Sequence, residues 1–281
     1  MNYELLYDTD SINIIICTYN FEAKYVSKKV HQYFISYHKK INLILVSNKK
    51  DVKTHLTDNY IYLVGSNANL DLSAYYEGLL FCKANKIDHL FTIVCNDNIF
   101  VKHDFNFSFK SIIKYQKLIL NLTIPSIVGY RSDYTSICLL NPWSYSPNFL
   151  PTYFFALNSY GISYYIKLYE STLGISAMSI KNDYIFTQKL VPLNLLNLIF
   201  AHLNFIDSPL SWHGIKKYST DDTLIQKKMN CVFFEHYISG LFYNDGTIIY
   251  INSSKKYILL QFFRDFIYRY LNKKFYDKFF I

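Results

Sequence analysis

The run Ile12-Asn13-Ile14-Ile15-Ile16-Cys17, closing on Thr18-Tyr19-Asn20, constrains this chain more than any other stretch. Four isoleucines in five positions leave no polar face. An alternating strand on an open surface needs one, so this strand is buried on both sides, as in a parallel sheet covered by helices. Phe21 to Lys39 follow with Phe21, Tyr25, Val26, Val30, Tyr33 and Phe34 at helical spacing. The same grammar recurs. Residues 41–48 and 60–66 read as strands, 72–86 as a helix and 89–96 as another strand. Strands and helices alternating over about 100 residues predict an α/β domain with a mostly parallel sheet.

The pattern loosens further on. Residues 107–122 read as one helix ending before Pro125, and 126–131 as a strand. Residues 132–151, with three prolines, read as an irregular loop able to line a site. A strand over 152–158 and a helix over 161–171 come next. Helical patterns follow over 180–191 and the apolar stretch after it, then a loop over 211–222. Residues 229–240 suggest a helix and 246–252 a short strand. The last segment, 255–281, carries Lys255, Lys256, Arg264, Arg269, Lys273, Lys274 and Lys278 against Asp265 and Asp277, with aromatic residues between. It reads as a basic amphipathic helix suited to an anionic membrane surface, or as a helix packed on its own domain with a lysine-rich outer face. The expected organisation is one domain over residues 1–252 and a helical tail over 253–281.

Bulk properties narrow the chemistry. The chain has 281 residues, 51% of them hydrophobic and 18% charged, enough apolar surface for a large core. A net charge of +8 favours anionic partners. The basic surplus concentrates at the C-terminus rather than in aromatic-basic motifs of the body, which argues against nucleic acid. Five dispersed cysteines with no C-x-x-C spacing exclude a zinc ribbon and a disulfide framework, and suit a reducing cytosol. The acidic N-terminus has no signal-peptide core, and residues 190–206 are too short and polar to span a bilayer. With eight glycines and neither a Walker loop nor G-x-G-x-x-G, the chain does not hold a nucleotide by either glycine-rich route.

Three polar strand ends remain: Thr18-Tyr19-Asn20, the Asn-rich loop Ser66 to Asp71, and Asn96-Asp97-Asn98. In an open α/β sheet such ends gather where ligands bind. Thr18 and Tyr19 are suited to holding a base or ribose. Asp97 with Asn98 is suited to a divalent cation bridging phosphates. Asp97 has a second reading, as a turn carboxylate bonded to nearby amides, and Asn96 and Asn98 as turn formers.

The segments INIIICTYN, SNANLDLSAYYEGL and FTIVCNDNIFV, in this order, resemble nucleotide-sugar glycosyltransferases of the GT-A fold. They are most similar to the family-2-like enzymes that build bacterial surface polysaccharides such as O-antigen and capsule. The resemblance covers residues 12–105 best and extends more weakly to 151–166. It implies a GT-A (Rossmann-like) domain, a nucleotide-diphospho-sugar donor, a glycan or lipid-linked acceptor, and a Mn²⁺ or Mg²⁺ cofactor. It further implies a place at the cytoplasmic membrane face. The implied donor residues are Thr18, Tyr19, Asn20, Asn67, Asp71, Asn96, Asp97 and Arg131, and the implied metal ligands Asp97, Asn98 and His213. Asp183, in a segment resembling one that supplies the catalytic base of inverting members, is one candidate base. Glu235, set among aromatics that raise a carboxyl's proton affinity, is its rival. Each has a plainer reading: Asp71 as a helix N-cap, Asp183 as a solvated helix residue, Glu235 as a paired structural carboxylate, His213 as a hydrogen-bonded structural histidine. Two departures stand out. The acidic motif has one carboxylate instead of two, and Asn69-Leu70-Asp71 replaces the usual glycine. A catalytically degenerate domain that binds a nucleotide or glycan is the alternative.

Overall fold

In the computed structural model the described residues are 5–8, 10–37, 39–49, 53–101, 103–133, 140–176, 195, 199 and 222–251. Strand β1 (Ile12–Thr18) is buried along its whole length, as is β2 (Ile41–Ser47). The two polar residues inside them are satisfied across the sheet. Asn13 donates to Ile87 O at 2.7 Å and to Thr92 Oγ1, and Asn42 donates to Asn13 Oδ1 at 2.9 Å. Buried amides tolerate an apolar setting only when paired in this way.

Helix α1 (Ala23–Ser36) follows β1, as its spacing predicts. The two-residue β3 (His55–Leu56) and β4 (Ile61–Val64) precede α2 (Asp71–Ala84), and β5 (Phe91–Asn96) runs into a 3-10 turn over Asp97–Phe100. The single helix expected over 107–122 is instead α3 (Phe105–Ile113) and α4 (Gln116–Leu120). At the join the Tyr115 amide bonds Ile112 O, three residues back, which interrupts the α-helical ladder. Then come β6 (Ser126–Tyr130), the small pair β7 (Ser132–Asp133) and β8 (Asn148–Phe149) within the expected loop, β9 (Phe154–Leu157), α5 (Ser159–Ser176), α6 (Asp222–Asp245) and β10 (Thr247–Ile251).

Eight strands form one sheet in the order β10-β6-β9-β5-β1-β2-β4-β3. Neighbours pair in parallel except where β9 lies between β6 and β5 and where β3 pairs β4. The expected mostly parallel sheet flanked by helices is therefore present. One face packs Ile12, Ile14 and Ile16 beneath α1 and α3, and the other packs Ile15, Cys17 and Val94 beneath α2, α5 and α6. Gly78 lets α2 press on β1: a Cβ there would lie 2.5 Å from Ile15 Cγ2. None of the helices among the described residues is long and apolar enough to cross a membrane. The tail over 253–281 lies outside the described residues.

Candidate functional site at the carboxyl edge of the sheet

The chain leaves β1 for β2 and β4 on one side, then returns to β5 on the other. The crevice between the carboxyl ends of β1 and β5 is the topological switch point, where open α/β sheets bind ligands. Asp97 sits there with no exposed surface. Its Oδ2 accepts hydrogen bonds from the backbone N–H groups of Tyr19 (2.7 Å), Asn20 (2.6 Å) and Phe21 (3.0 Å), and its Oδ1 accepts from Asn20 Nδ2 (2.9 Å). One carboxylate thereby fixes the whole β1–α1 loop. Asn20 Nδ2 also reaches Asn98 Oδ1 at 3.2 Å, and Asn96 Oδ1 caps the turn by accepting from the Asn98 amide.

Asn96 extends the network. Its Nδ2 donates to Asp71 Oδ2 at 2.6 Å, tying β5 to the start of α2. Asp71 lies in the first turn rather than at the N-cap, which is Leu70 without a side-chain cap bond. A carboxylate there is favoured by the helix dipole. Leu70 has φ 51° and ψ −128°, and Asn67 has φ 52°. Such values cost a β-carbon residue about 1–3 kcal/mol and persist only when the surroundings enforce them. For Leu70 they do: its side chain is buried and its carbonyl accepts from Asn48 Nδ2 and Ser73 Oγ. Cys17 accepts a second bond from Asn48 Nδ2 at 3.5 Å and points its thiol at Asp71 Oδ1, 3.9 Å away. Burial, reinforced by the Asp71 and Asp97 carboxylates, raises the Cys17 thiol well above its ordinary value, so it stays protonated.

Two buried acceptors in this region have no partner among the described residues: Asn48 Oδ1 and Asn67 Oδ1. An unsatisfied buried oxygen is costly, about 1–3 kcal/mol, and one aimed at a ligand site is offset when a donor arrives. Helix α6 closes this end. Lys227 Nζ donates to Asn67 O, Asn230 Nδ2 to Asn69 Oδ1 at 2.9 Å, and the Cys231 thiol to Asn69 O at 3.3 Å. One turn on, Glu235 Oε2 accepts from the Thr152 amide (2.9 Å) and hydroxyl (3.1 Å). Tyr153, the next residue, accepts from the Asn96 amide, so Glu235 is linked through two residues to the end of β5. Burial pushes the Glu235 carboxyl up to about 7, and the Thr152 bonds oppose that rise.

The structure thus gathers Tyr19, Asn20, Asn67, Asp71, Asn96, Asp97, Asn98 and Glu235 at one edge. Thr18 is at the same edge but buried, its hydroxyl directed at Val46 O. Arg131 stands at the end of β6, two strands from β5, exposed, with Nε donating to Asn148 Oδ1 at 2.8 Å. Asp183 and His213 lie outside the described residues. His236 packs in the interior against Phe149. Sequence reasoning passed over Asn48 and Thr152, and singled out Asn69 only as part of the stretch replacing a glycine, with no role of its own. Asn48 had a readable signal, since it stands just past the apolar run Leu43 to Val46, much as Asn96 closes a largely apolar strand. Asn69 and Thr152 had none, because their partners lie 83 to 161 residues away.

No protein-family model matches the chain, and no curated protein matches it.

Proposed function

We propose that this chain transfers a sugar from a nucleotide-diphospho-sugar to a glycan or lipid-linked acceptor, on a domain of the GT-A type. The observation that carries the reading is the edge itself. Four strand-end loops are bonded into one unit at the switch point, two amide oxygens buried in those loops are unpartnered among the described residues, and a carboxyl with proton affinity near neutrality is linked to the end of β5. Amide oxygens accept from the N–H groups of a base and the hydroxyls of a ribose. Asn48 and Asn67 take those roles, with Tyr19 and Asn20 on the exposed side. The sequence resemblance supports the same donor class.

Glu235 is the base that takes the acceptor hydroxyl proton, because a group near 7 is half-charged at working pH and still basic. Asp183 is the rival for that role. A divalent ion, Mn²⁺ or Mg²⁺, neutralises charge on the departing diphosphate when bound. The residues fit it in part. Asn98 Oδ1 is a half-buried oxygen at the turn, and Asp71 is a second within the same network. The Asp97 oxygens already receive four N–H donors, so Asp97 shapes the turn that presents Asn98. His213 completes the proposed set. Arg131, two strands from β5, is the cation proposed to meet charge on the diphosphate or the acceptor.

The test is nucleotide-diphosphate release from a panel of sugar nucleotides with and without Mn²⁺, beside calorimetric binding. Turnover that falls at least about a hundredfold in Glu235→Gln, and affinity that falls about tenfold in Asn48→Leu, support the reading. Failure of every nucleotide diphosphate to bind at millimolar concentration overturns it. A second reading, a binding module without turnover, is favoured by the full engagement of Asp97, the one acidic residue of its motif. Tight binding with no release of product from any acceptor pool selects it.

A further inference from the structure

The loop that Asp97 pins carries a second feature on its outer side. Phe21 stacks on Tyr25 with centroids 5.0 Å apart, and Phe100 meets both edge-on at 6.1 and 6.4 Å. Phe100 is braced from beneath by Phe105 at 4.9 Å. The trio is not sealed. Tyr25 is 42% exposed, and Val101, at the tip of the 3-10 turn, 66%. Lys24, Lys28 and Lys29 are all exposed on the adjoining face of α1, and Lys29 Nζ lies 5.9 Å from the centre of the Tyr25 ring. The acidic groups bordering the patch are Glu22 and Asp104, both exposed, with Asp104 capping α3 through the Phe107 amide. Three ammonium groups against these two carboxylates leave the rim with a surplus of positive charge.

We propose that this rim (Tyr25 and Val101 with Lys24, Lys28 and Lys29) docks on an anionic lipid bilayer. Tyrosine rings settle at the headgroup level, where one end is apolar and the other wet. A valine at a loop tip enters the acyl boundary, and lysine stems lie along apolar surface while their ammoniums reach lipid phosphates. The charge and the aromatic content complement an anionic headgroup layer together, whereas either alone would not select one. The loop's anchoring matters too. Its backbone amides are held by the buried Asp97, so the aromatics are already ordered before contact and lose little freedom on docking. The surface stands on these residues and not on the donor reading. Taken with that reading, it sets the candidate site beside the headgroups that carry a lipid-linked acceptor.

The experiment is co-sedimentation of the full chain with vesicles of phosphatidylcholine alone and with about one-third phosphatidylserine. Two variants accompany it: Lys24→Glu/Lys28→Glu/Lys29→Glu, and Tyr25→Ser/Val101→Ser. Circular dichroism melts confirm folding of each, and nucleotide binding is measured separately to keep the two proposals apart. Binding to the anionic vesicles only, weakened at least about a hundredfold by the triple variant and about tenfold by the double, is the expected result. Equal binding by both variants, with the basic segment 255–281 carrying all of it, overturns the proposal. So does equal binding to neutral vesicles, or binding to duplex DNA with no binding to either vesicle.

Discussion

Replacing Asp97 by alanine tests the central piece of local physics. Its carboxylate accepts four hydrogen bonds, three of them from consecutive backbone amides, and has no exposed surface. Bonds to a charged acceptor contribute about 1.5–3 kcal/mol each, and a donor left unpaired forfeits a comparable amount. Tyr19 and Asn20 are exposed, so water recovers part of the loss at their amides. Taking about 1–1.5 kcal/mol per bond gives roughly 4–6 kcal/mol for Asp97→Ala, at the top of the range for single substitutions. For a chain of this size that lowers the melting temperature by roughly 10–20 °C. Asp97→Asn keeps one acceptor oxygen but turns an amide NH₂ toward donors, and is expected to cost about half as much. Urea unfolding followed by circular dichroism measures both, without added metal. A carboxylate whose only task were to hold a cation would be neutral or stabilising to remove under those conditions. Asp97→Ala within about 1 kcal/mol of the parent would therefore refute the loop-pinning account.

Glu235 makes stability pH-dependent in a defined direction. Its folded value near 7 lies above the ordinary 4.5, so its contribution is fully present below pH 4.5 and is lost as pH rises through 7, about 3 kcal/mol in all. Glu235→Gln should remove that slope in urea titrations between pH 4.5 and 8, and should abolish the rising limb of any transferase pH profile. Asn158, itself buried, accepts from the Ser126 and Gly161 amides, and its two N–H groups are shared among the carbonyls of Ile119, Leu122 and Ile124 at the end of α4 and before β6. Asn158→Ala should cost about 3–4 kcal/mol in chemical denaturation with nucleotide affinity unchanged in the folded fraction. Gly78→Ala forces a methyl to 2.5 Å from Ile15 and should cost about 1–3 kcal/mol, read as a lower thermal midpoint.

The amino-terminal half was legible because its signals are local. A run such as Ile12 to Cys17 has one favourable environment, and the 3.6-residue period of Val26, Val30, Tyr33 and Phe34 has one favourable partner. The polar strand ends were legible for the same reason: an apolar strand that stops at Asn96-Asp97-Asn98 must surface there. What each polar residue then does was not legible. The sequence by itself determined that Asp97 closes a buried strand, and left open whether its oxygens face a ligand or the chain. Only the tertiary structure decided, by bringing the amides of Tyr19, Asn20 and Phe21 from 76 to 78 residues away onto Oδ2. The same holds for Glu235, whose proton affinity is set by burial, which raises it, against the bonds from Thr152, 83 residues earlier, which lower it. Periodicity is written in neighbouring residues and survives in the bare sequence. Hydrogen-bond partnership and desolvation are properties of distant segments meeting, and exist only once the sheet has set which strand ends lie side by side.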